Sequence, residues 1–359
     1  MPIAFIIFNR PQATRKVLER IRQVRPRRLL VIADGPRVDR PEDLERCRTT
    51  RRLMEQIDWD CEVSTNYSDD NLGCKKRIET GLDWVFEQTE AAIIVEDDCL
   101  PDPTFFPFCQ HLLAQYSADK RVMQVGGHNP LFQWQFEHQS YHFCYLNSSP
   151  HGWATWRRAW SQYRQPITWN TPKNLAYLEQ TILDPRRRDR SYQFYDRIFS
   201  SPDMEDEWIY QWSFVKLSLR GLSIVPAVNL VTHIGAGAEA THIKDKTPLM
   251  PQSPIPFPLV DPPRVEVDLA FEQEIGQTRP ETLQPLLENL VSLGQNIHAL
   301  VLSEELRSQY PQSAVPYYWK AQALVGLQQS QRAIATLQQL LSLNPDHEAA
   351  QALLQTLWH

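Results

Sequence analysis

Over the first hundred positions, short uninterrupted apolar runs alternate with stretches in which apolar residues recur every three or four positions. IAFIIF (Ile3 to Phe8) is such a run, and LLVIADG (Leu29 to Gly35) is a second one ending in the turn signal Asp34-Gly35. Continuous rather than alternating hydrophobicity marks strands covered on both faces of a parallel sheet. Between them Val17, Leu18, Ile21 and Val24 share one face of a predicted helix. A polar helix over about 41–56 and a short strand around Cys61 to Thr65 follow. After Asn71-Leu72-Gly73, a helix carries Ile78, Leu82, Val85 and Phe86 on one face, and then comes the run AAIIVEDD. Repeated strand–helix units of this kind predict a doubly wound α/β sheet, whose ligands bind beyond the carboxyl ends of the strands. Asn9-Arg10, Asp34 and Glu96-Asp97-Asp98 all fall at that rim.

The pattern changes after residue 247. Seven prolines between Pro248 and Pro263 forbid a helix or central strand and predict an extended linker or strap. Beyond it the apolar spacing is helical and repeats: Pro311 and Pro345, Ala299 and Ala333, Leu306 and Leu340, and Leu290 and Leu324 are each 34 residues apart. That period, with small residues at the helix crossing and a closing proline, is the tetratricopeptide signature. AVPYYWKAQALVGLQQSQRAIATLQQLLSLNPDH is the clear unit, a degenerate unit precedes it, and the helix Glu348 to Trp358 would cap the array. An unrelated pair of helical hairpins is the alternative. The expected organisation is an α/β domain over 1–247, a linker over 248–264 and an all-α domain over 265–359.

Composition adds limits. The 359 residues are 42% apolar and 22% charged, as in ordinary globular chains, and the formal net charge of -6 argues against a general nucleic-acid binder. Basic stretches at Arg25 to Arg28 and Arg186 to Arg190 leave room for a local patch. Six cysteines without a C-x-x-C pair suit neither a disulfide framework nor a zinc site and read as reduced thiols. The opening apolar run is too short for a signal peptide and no stretch is long enough to span a bilayer. The expectation is a cytoplasmic protein, with action at a membrane surface left open.

The chemistry concentrates in AIIVEDDCLPDP, a buried strand ending in three adjacent carboxylates. Carboxylates held on a loop at a strand end are the usual hard oxygen ligands of Mg2+ or Mn2+, and a bound cation would resolve their repulsion. A solvated acidic turn is the competing reading. Pro101 and Pro103 stiffen the loop, and Phe105, Phe106 and Phe108 pack behind it.

NLGCKKRIETGLDWVFEQTEAAIIVEDDCLPDPTFFPFC resembles the donor-binding core of nucleotide-diphospho-sugar transferases of the GT-A fold. It is similar in particular to bacterial relatives of N-acetylglucosaminyltransferase I, and the resemblance runs from about Ile3 to His242. It includes Arg10 after the first strand and Asp34 after the second, both of which it implies hold the nucleotide. PHGWATWRRAW, MEDEW and NLVTHIGAGAEATH continue it. Carried over, the resemblance implies that Asp98 is the direct metal ligand and that Glu96 and Asp97 contact the donor sugar and ribose. Lys75 and Lys76 would meet the diphosphate, with a solvated basic helix turn as the alternative. Asp206, two residues before Trp208, would be the catalytic base, Glu205 and Glu207 competing for the role. Gly152 and Trp153 would line the sugar and acceptor side, Trp156 and Trp160 reading instead as helix core. Of the late histidines, His242 is preferred over His233 as an added metal ligand.

The activity so implied is an inverting, Mn2+- or Mg2+-dependent glycosyltransferase, moving a hexosyl or N-acetylhexosaminyl group from a nucleoside-diphosphate sugar, UDP by resemblance, to a glycan or other hydroxyl acceptor. The tetratricopeptide-like part would dock a protein partner. The alternative is a catalytically inactive transferase-like scaffold working through its repeats. A nucleotidyltransferase would show a glycine-rich phosphate loop after the first strand, where this chain has FNRPQAT.

Overall fold

The computed structural model describes residues 1–135, 138–146, 149, 151–164, 168–183, 185–200, 208–234, 252–277, 280–292 and 294–358. Among these, residues 1–234 with 252–277 form one compact unit and residues 280–358 another.

The first unit opens with β1 (Ile3–Ile7), α1 (Pro11–Val24), β2 (Arg28–Ala33), α2 (Glu42–Arg52), β3 (Glu62–Tyr67), α3 (Cys74–Gln88) and β4 (Ala91–Glu96). These are the strand–helix units the apolar rhythm predicts; the polar helix ends four residues early, its last turn tightening into a 3-10 helix at Leu53–Gln56. Then come β5 (Cys99–Pro101), α4 (Phe105–Gln115), β6 (Val122–Gly126), β7 (Tyr141–Cys144), β8 (Trp153–Trp156) and α5 (Arg157–Trp160). The unit closes with α6 (Pro172–Thr181), α7 (Pro185–Ser200), α8 (Trp208–Leu219), β9 (Leu222–Pro226), β10 (Val231–His233) and α9 (Leu269–Gln277).

Among the described residues eight strands build one sheet in the order β3-β2-β1-β4-β8-β6-β9-β7, and β10 pairs with β5 in a separate ribbon. Pairings from β3 through β4 are parallel, β8 is antiparallel to both its neighbours, β6 and β9 are parallel, and β7 closes antiparallel. The sheet is thus mixed and mostly parallel. Phe5, Val31, Val95, Leu112 and Phe108 fill one of its faces, and Ala4, Ile32, Leu82, Ile94 and Trp153 fill the other. Burial on both faces explains the unbroken apolar runs.

Two sequence expectations need correction here. Trp153 does not line a binding surface. It is 1% exposed in the interior strand β8, packed among Trp208, Trp160 and Trp212 with ring centroids 5.6, 6.4 and 5.9 Å away. Trp156, expected in a helix, lies in the same strand, while Trp160 is in α5. β8 has the sheet on both edges and helices on both faces, and large aromatics supply the bulk such a slot needs.

From residue 252 on, the proline-rich segment is a strap on the first unit. Ser253 N donates to Asn229 O (2.9 Å), Ile255 N to Thr104 Oγ1 (3.0 Å), and Ser140 N to Val260 O (2.8 Å). Ile255 is buried in the main core. α9 follows the strap and stays with this unit: the Glu272 carboxylate accepts from Leu146 N (3.0 Å), Tyr145 N and the Tyr177 hydroxyl. The all-α unit therefore starts beyond residue 277 rather than at 265. None of the six cysteines forms a disulfide.

The second unit stacks α10 (Pro280–Ser292), α11 (Asn296–Gln309), α12 (Ala314–Gly326), α13 (Ser330–Leu343) and α14 (Glu348–Trp358), successive helices packing on one another. The 34-residue pairs are its core: Ala299 and Ala333 are both fully buried, as are Leu290 and Leu324, and Leu306 and Leu340. Among the described residues no helix is long and apolar enough to cross a membrane.

Candidate functional site

The parallel register sets Ile6 beside Glu96 and Ile7 beside Ala33, so Arg10, Asp34 and the carboxylate triplet leave the sheet on one rim. Phe8 N donates to Asp97 Oδ2 (2.9 Å) across the β1–β4 gap. Arg10 caps the start of α1 and its Nη1 reaches Asp97 Oδ1 at 3.2 Å and the Asp98 carboxylate. Asp97 and Asp98 are 4% and 8% exposed; Glu96 is half-buried.

Burial and the neighbouring Asp98 and Asp97 charges push Glu96 up to about 8. Burial also raises Asp97, to about 6, against the pull of Arg10. Burial would raise Asp98 too, but the His233 hydrogen bond and the Arg10 charge outweigh it and hold it well below the usual carboxylate range. One guanidinium does not compensate three carboxylates.

His233 arrives from the far end of the fold. β10 pairs with β5 so that His233 stands opposite Cys99, and Ile234 N donates to Asp98 O (2.7 Å). His233 Nε2 lies 3.3 Å from Asp98 Oδ2, while its buried Nδ1 has no hydrogen-bond partner among the described residues. Sequence reading preferred His242, which lies outside the described residues. His151 packs on His233 with ring centroids 5.0 Å apart, and His128 on His151 at 5.6 Å. Burial lowers His151 to about 4 and His128 to about 3, each helped by a neighbouring imidazole, so both rings are neutral. Gly152 makes this possible. Its φ is +62°, and a Cβ there would come 2.8 Å from Val231 Cγ2, so only glycine lets the loop seat His151 beside β10.

Asp34 serves its own rim. Oδ1 accepts from Leu72 N (2.9 Å) and Gly35 N (3.0 Å), and Oδ2 from Asn71 Nδ2 and Gly73 N (both 3.1 Å). Burial raises its pKa against these bonds. The carboxylate thus fixes the turn that starts α3, whose first residues include half-buried Lys75 and exposed Lys76. A Cβ on Gly35 would lie 2.4 Å from Asp69 O, so the two loops touch backbone to backbone. Asp34→Ala is expected to cost about 2–3 kcal/mol, since it leaves the N–H groups of half-buried Leu72 and Gly73 without their acceptor while Gly35 N keeps Asp70 O; urea unfolding checks this, and a loss within the scatter of surface variants would refute the role.

Sequence reading missed the side chains that brace this rim. Asn9 Nδ2 donates to Asp43 Oδ1 (2.6 Å), and Arg37 Nε to Asp43 Oδ2 (2.6 Å), tying the loop after β2 to the end of β1. The sequence carries no signal for this: Asp43 stands among Glu42 and Glu45 in a polar first turn, and only the fold shows that it alone is fully buried. Asp206, Glu205 and Glu207 lie outside the described residues.

Among the described residues no group of three His, Cys, Asp or Glu side chains is arranged to hold a metal. The Asp98 carboxylate is the kind of hard oxygen ligand that Mn2+ and Mg2+ take, Mg2+ in particular using one or two carboxylates and completing its shell with water and phosphate. The His233 imidazole beside it would suit Mn2+ better than Mg2+. The carboxylates that burial keeps raised are what an added cation would relieve.

A family model for the tetratricopeptide repeat matches residues 290–357. No curated protein matches the chain. The C-terminal unit is thus similar to tetratricopeptide repeats, a class of scaffold that suggests protein interaction.

Proposed function

We propose that the first unit is a metal-dependent glycosyltransferase of the GT-A type that takes its sugar from a nucleoside diphosphate, UDP by resemblance. The observation that carries this is the cluster Arg10–Asp97–Asp98–His233 at the carboxyl rim of the parallel strands. Ligands of open α/β sheets bind at such rims. Asp98 and His233 would hold Mn2+ or Mg2+, which when bound neutralises a departing diphosphate. Arg10 fixes the rotamers of Asp97 and Asp98, and Glu96 and Asp97 would contact the donor's sugar and ribose. Lys75 and Lys76, on the first turn of α3, add positive charge and helix dipole where the diphosphate would lie. Asp206 is the proposed base, removing the acceptor hydroxyl proton for inverting attack, with Glu205 and Glu207 as its rivals.

The experiment is nucleotide release from a panel of sugar nucleotides, with Mn2+ and then with chelator. Release from at least one donor, abolished by chelation, is expected. No binding and no turnover of any donor would sink the reading. A second reading, a scaffold acting through its repeats, draws on the tetratricopeptide match. Loss of a bound partner on deleting residues 311–359, with turnover of free donor unchanged, would give the repeats a docking role beside the catalytic one.

A further inference from the structure

Away from the carboxylate rim, α2, the 3-10 turn after it and β3 enclose an open groove of about 430 Å3. Arg48, Arg51 and Arg52 stand at i, i+3 and i+4 on α2 and line it together. Opposite them, Val63 and Tyr67 project from one face of β3, the uncovered edge strand of the sheet.

The three arginines differ. Arg51 is fixed: its Nη2 donates to Asp34 O (3.0 Å) and Ser68 O (2.6 Å), and its guanidinium lies 4.9 Å from the Tyr67 ring centroid. Arg48 and Arg52 are exposed and form no hydrogen bond or ion pair with any described residue. Glu55 is the one carboxylate in the lining, so three positive charges face a single negative one. Two free guanidiniums beside a fixed third repel one another unless an anion lies between them. Their planar forks match the oxygens of a phosphoryl group. Met54 and Val63, the latter 37% exposed, add an apolar wall next to the charge.

We propose that this groove binds the phosphoryl group of an organic phosphate, Arg48, Arg51 and Arg52 holding its oxygens and Met54 and Val63 taking the adjoining apolar part. The groove adjoins the donor rim through the Arg51–Asp34 O bond, but its lining contains none of the residues proposed to hold the metal or the donor. The same chemistry is offered by a soluble phosphate ester and by a phospholipid headgroup.

Inorganic phosphate titrated into the full chain, followed by 31P line broadening, tests the site, with Arg48→Ala/Arg52→Ala as the variant. Both side chains are exposed, so the fold should survive, and circular dichroism verifies that. The expected result is about a tenfold or larger loss of phosphate affinity in the double variant. Asp98→Asn should leave that affinity unchanged. Equal phosphate affinity in the wild type and the double variant overturns the proposal, as does a loss confined to Asp98→Asn. Vesicles of phosphatidylcholine with and without phosphatidic acid separate the sources. Arginine-dependent pelleting with phosphatidic acid assigns the site to a headgroup; phosphate binding without pelleting assigns it to a soluble ester.

Discussion

Replacing Asp98 with asparagine is expected to lower metal-dependent nucleotide release by about two to three orders of magnitude while leaving the fold intact. Asp98 is where three demands meet. Its carboxylate pairs with Arg10 and lies 3.3 Å from His233 Nε2, and its backbone carbonyl accepts from Ile234 N, which anchors β10. Asparagine keeps the shape and the backbone bond but loses the charge, so cation affinity falls first. Alanine is a harsher change. It takes one of its two carboxylates from a guanidinium that is 15% exposed, which keeps Asp97, and removes the partner of a histidine that is 11% exposed, at a cost of about 1–3 kcal/mol. Activity and thermal unfolding measured on both variants separate the contributions. Undiminished release by Asp98→Asn would remove Asp98 from the metal site, and loss of activity tracking loss of stability alone would make its role structural.

Why the triplet was legible, and the meeting of His233 with Asp98 was not, follows from how each is specified. Glu96, Asp97 and Asp98 end a run, Ala92 to Val95, whose burial on both faces is written in four consecutive apolar residues. The rim could therefore be placed from local pattern and the rule for parallel sheets. His233 comes to Asp98 only because a three-residue strand, β10, pairs with another three-residue strand more than a hundred positions earlier. Strands so short carry no periodicity. The mixed part of the sheet was hidden likewise: β8 runs antiparallel between β4 and β6, and its WATW reads equally as helix or strand until its neighbours are known. Asp34 was placed correctly on the rim, yet no sequence signal said that four donors within the protein would occupy its carboxylate. The repeats were legible because each 34-residue unit restates the same packing, with Ala299 answering Ala333 and Leu290 answering Leu324.

The stability that buried Lys216 costs the first unit is expected to shrink between pH 7 and pH 9, so the wild type should gain on Lys216→Met over that window. Glu96, pushed up to about 8, pulls the stability of both proteins the other way. Lys216 sits on α8 with no exposed surface; its Nζ donates to Gln124 Oε1 (2.7 Å) and to Ser223 Oγ, and lies 5.7 Å from the Trp212 ring centroid. Burial lowers its pKa to about 7, the Cys144 and Glu272 charges pulling only weakly the other way. An unfolded lysine titrates near 10.4. Between those values the unfolded chain carries the proton and the folded chain does not, so at this group the unfolded state binds more protons and its contribution to ΔG of unfolding increases with pH. Below about pH 7 both states are protonated and the slope from this group vanishes; the burial penalty is then at its full size. The slope in the window is about 1.4 kcal/mol per pH unit, so two units carry roughly 2–3 kcal/mol. Methionine fills a similar volume and leaves Gln124 Oε1 its bond from Trp212 Nε1 (2.8 Å), so the variant should be the more stable protein at pH 6 and lose much of that advantage by pH 9. Urea midpoints of wild type and variant at pH 6, 7, 8 and 9 decide it. A gap between them that stays constant with pH would mean that Lys216 keeps its proton in the folded core, its charge held by Gln124, Ser223 and the face of Trp212.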